Sequence, residues 1–416
     1  MTPIKEYWVE MDDQGRLVLP PEVAEHYGIL PGAPMLLKEG LKGLHLQRPI
    51  TQLAKVYIEP TSRCNLTCRT CIRNAWEEPQ DDMSVTTWNR VIESLKGLPS
   101  HPDVFFGGFG EPLVLPNIVE MVTQAKEVAG KVEMITNGLL LTEEHARGLI
   151  DSGLDTLWVS VDGVTPESYA DTRIGAELPT VLNNIRRMAI LRHETTRRPE
   201  IGISFVAMRK NIADLPALIR KGAQLGVSRF MVTNVFPYTE EMCKEMLYSL
   251  SVDSMDSTPS PWAPEIDLPR MDLNADSQDA LIKTMRNRHN VYWNGVALGQ
   301  DRGHCPFSER GSVSIAWNGD ASPCLALMHS YDTFLNGRTR KVRRCVFGNL
   351  LEQSLLSIWE AQEYVAFRKR VQEFDFSPCT SCGGCEMAEK NEEDCFSNPF
   401  PTCGGCLWAQ GVIQCP

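Results

Sequence analysis

No stretch of the 416-residue chain approaches eighteen consecutive apolar residues, so nothing in it reads as a transmembrane helix. The first residues include Lys5, Glu6 and Glu10 where a secretory leader needs an apolar core, so a cytoplasmic location is expected, with no membrane partner. Basic residues are in short supply as well: Lys and Arg number 41 against 53 Asp and Glu, a net charge of −12. Binding phosphates requires an excess of Lys and Arg on some face, so nucleic acid is not expected as the main partner.

What the chain has in quantity is cysteine. Fourteen are present, most of them in three clusters. Such a count marks a disulfide framework in a small secreted domain, but in a cytosolic chain of this size it reads as metal ligation. The length itself implies two or three domains.

The first cluster is Cys64-Asn65-Leu66-Thr67-Cys68-Arg69-Thr70-Cys71, three cysteines at C-x3-C-x2-C spacing directly after a short alternating apolar run at 56–58. Three thiolates on one tight loop can hold three irons of a [4Fe-4S] cubane and leave the fourth iron open to a small molecule. A cluster that only carries electrons is closed by a fourth cysteine. Zinc would want a fourth Cys or His close by, whereas His45 lies in what reads as a separate module and His101 lies about thirty residues on, across an expected helix.

This loop resembles the cluster motif of the radical S-adenosylmethionine (SAM) superfamily. The resemblance implies that SAM chelates the open iron and that the reduced cluster, fed by a donor such as ferredoxin or flavodoxin, cleaves SAM to methionine and a 5′-deoxyadenosyl radical. One departure is Thr70, where the family usually has an aromatic residue that contacts adenine.

From Lys55 onward, apolar strand patterns alternate with helical ones, the mark of a parallel sheet with crossover helices. Strands are expected at 56–58, 104–106, 132–135, 156–161, 202–207 and 230–232, and helices at 88–95, 118–128, 143–150, 181–191 and 215–225. Six such units fit a partial (β/α)6 barrel, the fold that the resemblance also implies, with functional loops at the C-terminal ends of the strands. Gly107-Gly108-Phe109-Gly110-Glu111-Pro112 after the second strand resembles the family's Gly-Gly-Glu-Pro motif. Gly108 and Gly110 would let backbone approach the SAM ammonium, and Glu111 would add a charge.

Asn137 ends the third strand where the family contacts SAM, although Asn137-Gly138 is also an ordinary turn. Ser160 and Asp162 alternate onto one side after the fourth strand, with oxygens suited to ribose hydroxyls. Arg173 matches by position an arginine that binds the SAM carboxylate, or else it is a surface residue. Val232 and Asn234 are candidates for the adenine pocket. Tyr238, Glu240 and Glu241 are candidates for a general base or a plain helix start.

Residues 1–49 form a small unit of their own, expected to be strand, strand, short helix, turn and strand, with a further strand from 41 to 46. The turn Gly15-Arg16-Leu17-Val18-Leu19-Pro20 and the later Pro31-Gly32-Ala33 resemble the swapped-hairpin module of AbrB/SpoVT-type proteins. One copy is too small to bury a core, so the resemblance implies a homodimer. Five basic residues against seven acidic ones favour dimerisation or docking of a substrate segment over DNA binding.

Residues 251–300 read as a polar linker, with Ser251, Ser254, Ser257 and Ser260 among prolines and aspartates. The region from 301 to 416 opens with Cys305, then Gly319 and Cys324, and ends with Cys379, Cys382, Cys385, Cys395, Cys403, Cys406 and Cys415. This resembles the SPASM domain, which implies two auxiliary [4Fe-4S] clusters; structural zinc is the alternative. Cys305 and Cys324 would serve one cluster and Cys379, Cys382 and Cys385 the other. Cys395, Cys403, Cys406 and Cys415 compete for the remaining places. Cys243 and Cys345 are left as packed thiols or spares.

Taken with Ile72-Arg73-Asn74 after the third cysteine, the chain looks most like cofactor-modifying proteins of tungsten-containing aldehyde:ferredoxin oxidoreductases. The resemblance implies a maturase acting on a peptide, protein or cofactor substrate. A dimeric DNA-binding regulator that senses redox state or SAM is the rival of another class, and a non-catalytic Fe-S electron carrier is a further one.

Overall fold

The computed structural model describes residues 7–27, 29, 35–40, 43–76, 78–248, 265–269, 274, 277–286, 290–293, 296–297, 304–335, 337–380 and 385–415. Two separate antiparallel hairpins come first, β1 (Glu10–Met11) with β2 (Leu17–Val18) and β3 (Leu37–Gly40) with β4 (Gly43–Leu46). Between them lies α1 (Pro21–His26), begun by a proline at its first position. The expected turn 31–33 lies outside the described residues.

The barrel strands follow as β5 (Lys55–Ile58), β6 (Asp103–Phe106), β7 (Val132–Thr136), β8 (Thr156–Ser160), β9 (Glu200–Ala207) and β10 (Arg229–Asn234). Each is parallel to the next. The crossovers carry α2 (Val85–Lys96), α3 (Ile118–Lys126), α4 (Glu143–Asp151), α5 (Pro166–Thr172), α6 (Leu178–Leu191) and α7 (Leu215–Gln224). All six strands and five of these helices fall where periodicity places them. α5 extends what reads in sequence as only a cap and a first turn, because Thr165 and Ser168 form a full capping box around Pro166.

Strand alternation sorts the side chains into two cores. Val56, Ile58, Val104, Phe106, Leu157 and Val159 face the helices, where α2 contributes Trp88, Val91, Ile92 and Leu95 at helical spacing. Tyr57, Phe105 and Trp158 point the other way into an aromatic interior. Each such side chain contributes about 1.5–3 kcal/mol when removed from water. That interior is shared with Phe307, Leu325, Met328 and Tyr331, so the C-terminal region packs against the open inside of the partial barrel.

Three further strands are β11 (Glu265–Leu268), β12 (Asn290–Trp293) and β13 (Val296–Ala297), which form a small sheet of their own, with the helix Gln278–Arg286 between them. The stretch read as a structureless linker therefore holds a sheet. Its strands are too short, and too far apart in sequence, for their alternation to stand out among the surrounding serines and prolines. The four linker serines lie outside the described residues.

The C-terminal region continues the main sheet. β14 (Ser312–Ile315) runs parallel to β5, and β15 (Asp320–Ser322) turns back on it around Asn318-Gly319. A second hairpin, β16 (Tyr331–Leu335) with β17 (Arg338–Val342), stands apart, and β18 (Gly348–Asn349) closes the main sheet's edge against β15. The nine strands run β10-β9-β8-β7-β6-β5-β14-β15-β18. Among the described residues no helix is long and apolar enough to cross a membrane.

Candidate active site

The three-cysteine loop leaves the C-terminal end of β5, and its own side chains shape it. Leu66 and Ile72 are buried and anchor it to the body of the protein. Arg73 Nη2 donates to the Leu66 carbonyl at 2.6 Å and Asn74 Nδ2 to the Cys68 carbonyl at 2.8 Å, so the residues after the third cysteine tie the loop closed. Arg73 Nε also lies 3.4 Å from Cys71 Sγ, and the Leu66 amide lies 3.4 Å from Cys64 Sγ. Burial pushes the Cys64 and Cys68 thiols up, while nearby guanidinium charge, Arg73 at Cys64 and Arg173 at Cys68, works the other way.

The glycine-rich loop after β6 is docked on this one. The Glu111 amide donates to the Arg63 carbonyl at 2.9 Å. A Cβ on Gly110 would collide with the Thr61 and Arg63 carbonyls, and one on Gly108, whose φ is +106°, would strike the Glu59 side chain. Both glycines are thus required by close approach to the segment that leads into the cysteines.

Glu111 is fully buried, and burial raises its pKa. Its carboxylate accepts from Thr136 Oγ1 at 2.7 Å, from the Asn137 amide at 2.6 Å and from the Leu113 amide at 3.0 Å. Three of about four acceptor positions are filled inside the protein, so Glu111 braces the end of β7. Asn137 in turn donates to Asn65 Oδ1 at 2.8 Å, with Cys64 Sγ at 3.9 Å, and so sits on the cysteine loop.

Asp162 and Arg173 form a buried ion pair at 2.7 Å. Asp162 also accepts the Val206 amide at 2.8 Å. Burial works against the charge on Arg173, but Asp162, followed by Cys68, holds its pKa above the ordinary arginine value. Arg173 reaches the cysteines because Arg69 and Thr67 donate to the carbonyls of Thr172 and Ile174. Ser160 ends β8 on the side of Trp158 and Asp162, nearly buried. Among the described residues the hydroxyls of Tyr169 and Thr172, on α5 beside this pair, are buried with no hydrogen-bond partner.

Two weaker candidates are engaged elsewhere. Asn234 donates to the Val412 carbonyl at 2.9 Å, holding the C-terminal tail, and Glu241 pairs with Arg69 at 3.0 Å. Tyr238 is buried, and burial raises its pKa well above the ordinary value, which leaves it a poor base.

A cavity within the C-terminal region is lined by Cys305, Cys324, Cys403 and Cys406, with Arg340 and Trp408. Burial pushes the Cys305 thiol up to about 12 and raises those of Cys324, Cys403 and Cys406 as well. Crowded buried thiols of this kind ionise only when a metal centre supplies positive charge. Cys379 lies on a neighbouring segment, feels Cys395, and has Ser377 Oγ 3.1 Å from its sulfur. Cys385 and Cys395 are exposed, and Cys382 lies outside the described residues. Cys415 has Trp408 Nε1 donating to its sulfur at 3.1 Å. Cys345 is buried in the same packed cluster as Cys324, close enough to act on Cys403, and Cys243 is a half-buried thiol on the helix that follows β10.

Among the described residues no three His, Cys, Asp or Glu side chains converge as they would around a single ion. A cubane asks for something else, since each thiolate takes its own iron. All-sulfur donor sets suit zinc and iron-sulfur clusters alike.

Several residues escaped sequence reasoning. Glu59, directly after β5, and Glu78 both hold His329 from the C-terminal region. Alternation along β5 could have pointed Glu59 inward with Tyr57, but nothing local marks Glu78, His329 or Arg340.

An open three-cysteine loop at the mouth of a parallel half-barrel, with a glycine-rich loop docked on it, defines a class. The chain matches the radical SAM superfamily over residues 58–220 and the SPASM iron-sulfur cluster-binding domain over residues 305–386, and it belongs to the radical SAM superfamily of enzymes. It is 31% identical over 366 residues, covering 87% of this chain and 96% of the other, to the tungsten-containing aldehyde ferredoxin oxidoreductase cofactor-modifying protein of Pyrococcus furiosus. The PqqA peptide cyclase of Gluconobacter oxydans is 30% identical over 191 residues, 46% of this chain and 50% of that one. In fold the chain is similar to Streptococcus suis SuiB, crystallised with its precursor peptide SuiA. The TM-score is 0.51 at 16% identity, over 80% of this chain and 70% of that one.

Proposed function

We propose that the enzyme cleaves SAM reductively and takes hydrogen from a peptide, protein or tungstopterin-type cofactor substrate. The observation that carries this reading is the docking of residues 107–112 on the loop of Cys64, Cys68 and Cys71, with Asn137 and the Asp162–Arg173 pair against the same loop. Cys64, Cys68 and Cys71 would hold a [4Fe-4S] cluster with one iron left for SAM, and such a cluster, once reduced, would supply the electron for cleaving SAM to methionine and a 5′-deoxyadenosyl radical.

The chain's own residues bind and orient. Gly108 and Gly110 bring backbone to the SAM ammonium, with Glu111 offering its remaining acceptor position. Arg173 presents positive charge to the SAM carboxylate, and Ser160 and Asp162 lie toward the ribose. Arg73 places a further positive charge beside Cys71.

The cavity cysteines Cys305, Cys324, Cys403 and Cys406 are assigned to one auxiliary [4Fe-4S] cluster, and Cys379, Cys382, Cys385 and Cys395 to a second. Cys415 is the one left over. The substrate class draws support from the functions that name the two relatives, one cofactor-modifying and one a peptide cyclase. A ferredoxin or flavodoxin is the expected electron donor, and the reducing cytoplasm suits the thiols.

The chain divides into a hairpin module at 1–49, the barrel at 50–250, a connecting segment at 251–300 and the auxiliary-cluster region at 301–416. The first of these is an AbrB/SpoVT-like module that pairs two copies. In support, Trp8 is 97% exposed, and Met11 and Leu44 are exposed as well, on hairpins too small to be stable alone. The central test is anaerobic reconstitution of a variant with Cys64, Cys68 and Cys71 changed to Ala. It should lose about a third of roughly 12 irons per chain and all SAM cleavage. Persistent 5′-deoxyadenosine formation by that variant would end this reading.

A further inference from the structure

Arg340, on β17, is only 4% exposed. Its neighbours Arg338, Arg343 and Arg344 pair with Glu389, Glu392 and Asp320, but among the described residues no carboxylate lies within ion-pair distance of Arg340. A cation buried without a counter-charge is strongly unfavourable, so a negative group is called for.

The surroundings say where that group must be. The guanidinium lies flat on the backbone between Cys403 and Cys406, where a Cβ on Gly405 would come within 2.6 Å of Arg340 Cζ. It also lines the cavity of Cys305, Cys324, Cys403 and Cys406. On its other side Nη1 donates to the Ala388 carbonyl, in the turn whose first hydrogen bond runs from the Ala388 amide to the Cys385 carbonyl at 3.0 Å. The backbones that carry the two cysteine groups touch, since Gly404 packs on the Ser377 carbonyl, two residues before Cys379.

We propose that Arg340 is the shared counter-charge of two neighbouring auxiliary iron-sulfur clusters and raises the reduction potential of both. The inference rests on the cluster assignment above. A thiolate-ligated cubane carries net negative charge, and reduction adds one more; a fixed cation packed on the Cys403–Cys406 loop and bonded to the Ala388 carbonyl favours the reduced form.

The test uses full-length protein with Cys64, Cys68 and Cys71 changed to Ala, so that only auxiliary signals remain, and follows redox titrations by electron paramagnetic resonance and iron content. Arg340→Met should shift both auxiliary potentials to more negative values, and Arg340→Lys should shift them less. If Arg340→Met instead loses iron from both clusters while Arg340→Lys keeps it, the shared counter-charge is equally supported. Unchanged potentials in Arg340→Met at full iron content would overturn the proposal, as would a shift confined to one cluster or equal behaviour of the Met and Lys variants. Absence of any auxiliary signal with Arg340 intact would overturn the cluster assignment itself, a separate and recognisable failure.

Discussion

His329 Nε2 lies 2.8 Å from Oε2 of Glu59, joining two residues 270 positions apart in a buried bond between the auxiliary-cluster region and the first barrel strand. The other ring nitrogen lies 2.7 Å from Glu78 Oε2, and Trp76 and Phe109 pack on the ring. Glu59 Oε1 also accepts the Phe109 amide at 3.0 Å, so the imidazole helps to position the glycine-rich loop.

This bridge has a pH signature. Burial works against the charge on His329, but Glu59 and then Glu78 raise its pKa to about 9, above the ordinary 6.5. Arg344, paired with Asp320, is a further charge felt by Glu78. A raised pKa means that the stabilisation is complete below about pH 6.5 and is lost as pH rises through about 9, with an upper size of about 3 kcal/mol. Thermal melts of His329→Gln against the unaltered protein, from pH 6 to pH 10, should converge at the alkaline end. Parallel curves would remove the bridge from the account.

Gly110→Ala places a methyl group against the Thr61 carbonyl. The loop must lift from the cysteines, at a cost of about 1–3 kcal/mol. SAM binding, read by calorimetry on reconstituted protein, should weaken well beyond the change in melting temperature. Wild-type binding would show that this close approach is not needed.

Asp162→Ala leaves Arg173 buried beside Cys68 without its carboxylate. Removing one member of such a pair typically costs about 3–5 kcal/mol. Urea unfolding should report a loss of that order, and exchanging both residues for apolar ones should restore most of it without restoring SAM cleavage.

Cys379→Ala combined with Cys382→Ala should spare reductive SAM cleavage while stopping product formation, because a cluster closed by four thiolates has no iron to offer SAM. Parallel assays of 5′-deoxyadenosine and modified substrate decide this. Loss of cleavage while the barrel cluster is still visible spectroscopically would mean that the tail contributes to SAM activation.

Deletion of residues 1–49 should convert a dimer to a monomer and leave cluster absorbance intact, as every assigned ligand lies beyond it. Analytical ultracentrifugation of the full chain at micromolar concentration provides the check, and a monomer there would contradict the pairing of modules.

The six barrel strands, their helices and the loop of Cys64, Cys68 and Cys71 were legible in the sequence because each depends on neighbours a few residues away. Alternation is set by the pleat, helical spacing by the turn, and ligand spacing by the reach of a tight loop. Gly108 and Gly110 stood out in the sequence as backbone for the SAM ammonium, whereas their close packing on Glu59, Thr61 and Arg63 is a tertiary contact that only the fold shows. The partners of His329, the grouping of Cys403 and Cys406 with Cys305 and Cys324, and the place of Arg340 between two cysteine groups were not legible. These join residues tens to hundreds of positions apart, and their meeting is decided by how β14 adds to β5 and how the C-terminal region fills the aromatic interior of the half-barrel. Local periodicity carries no information on such contacts, because a buried charge finds its counter-charge through the packing of the whole chain.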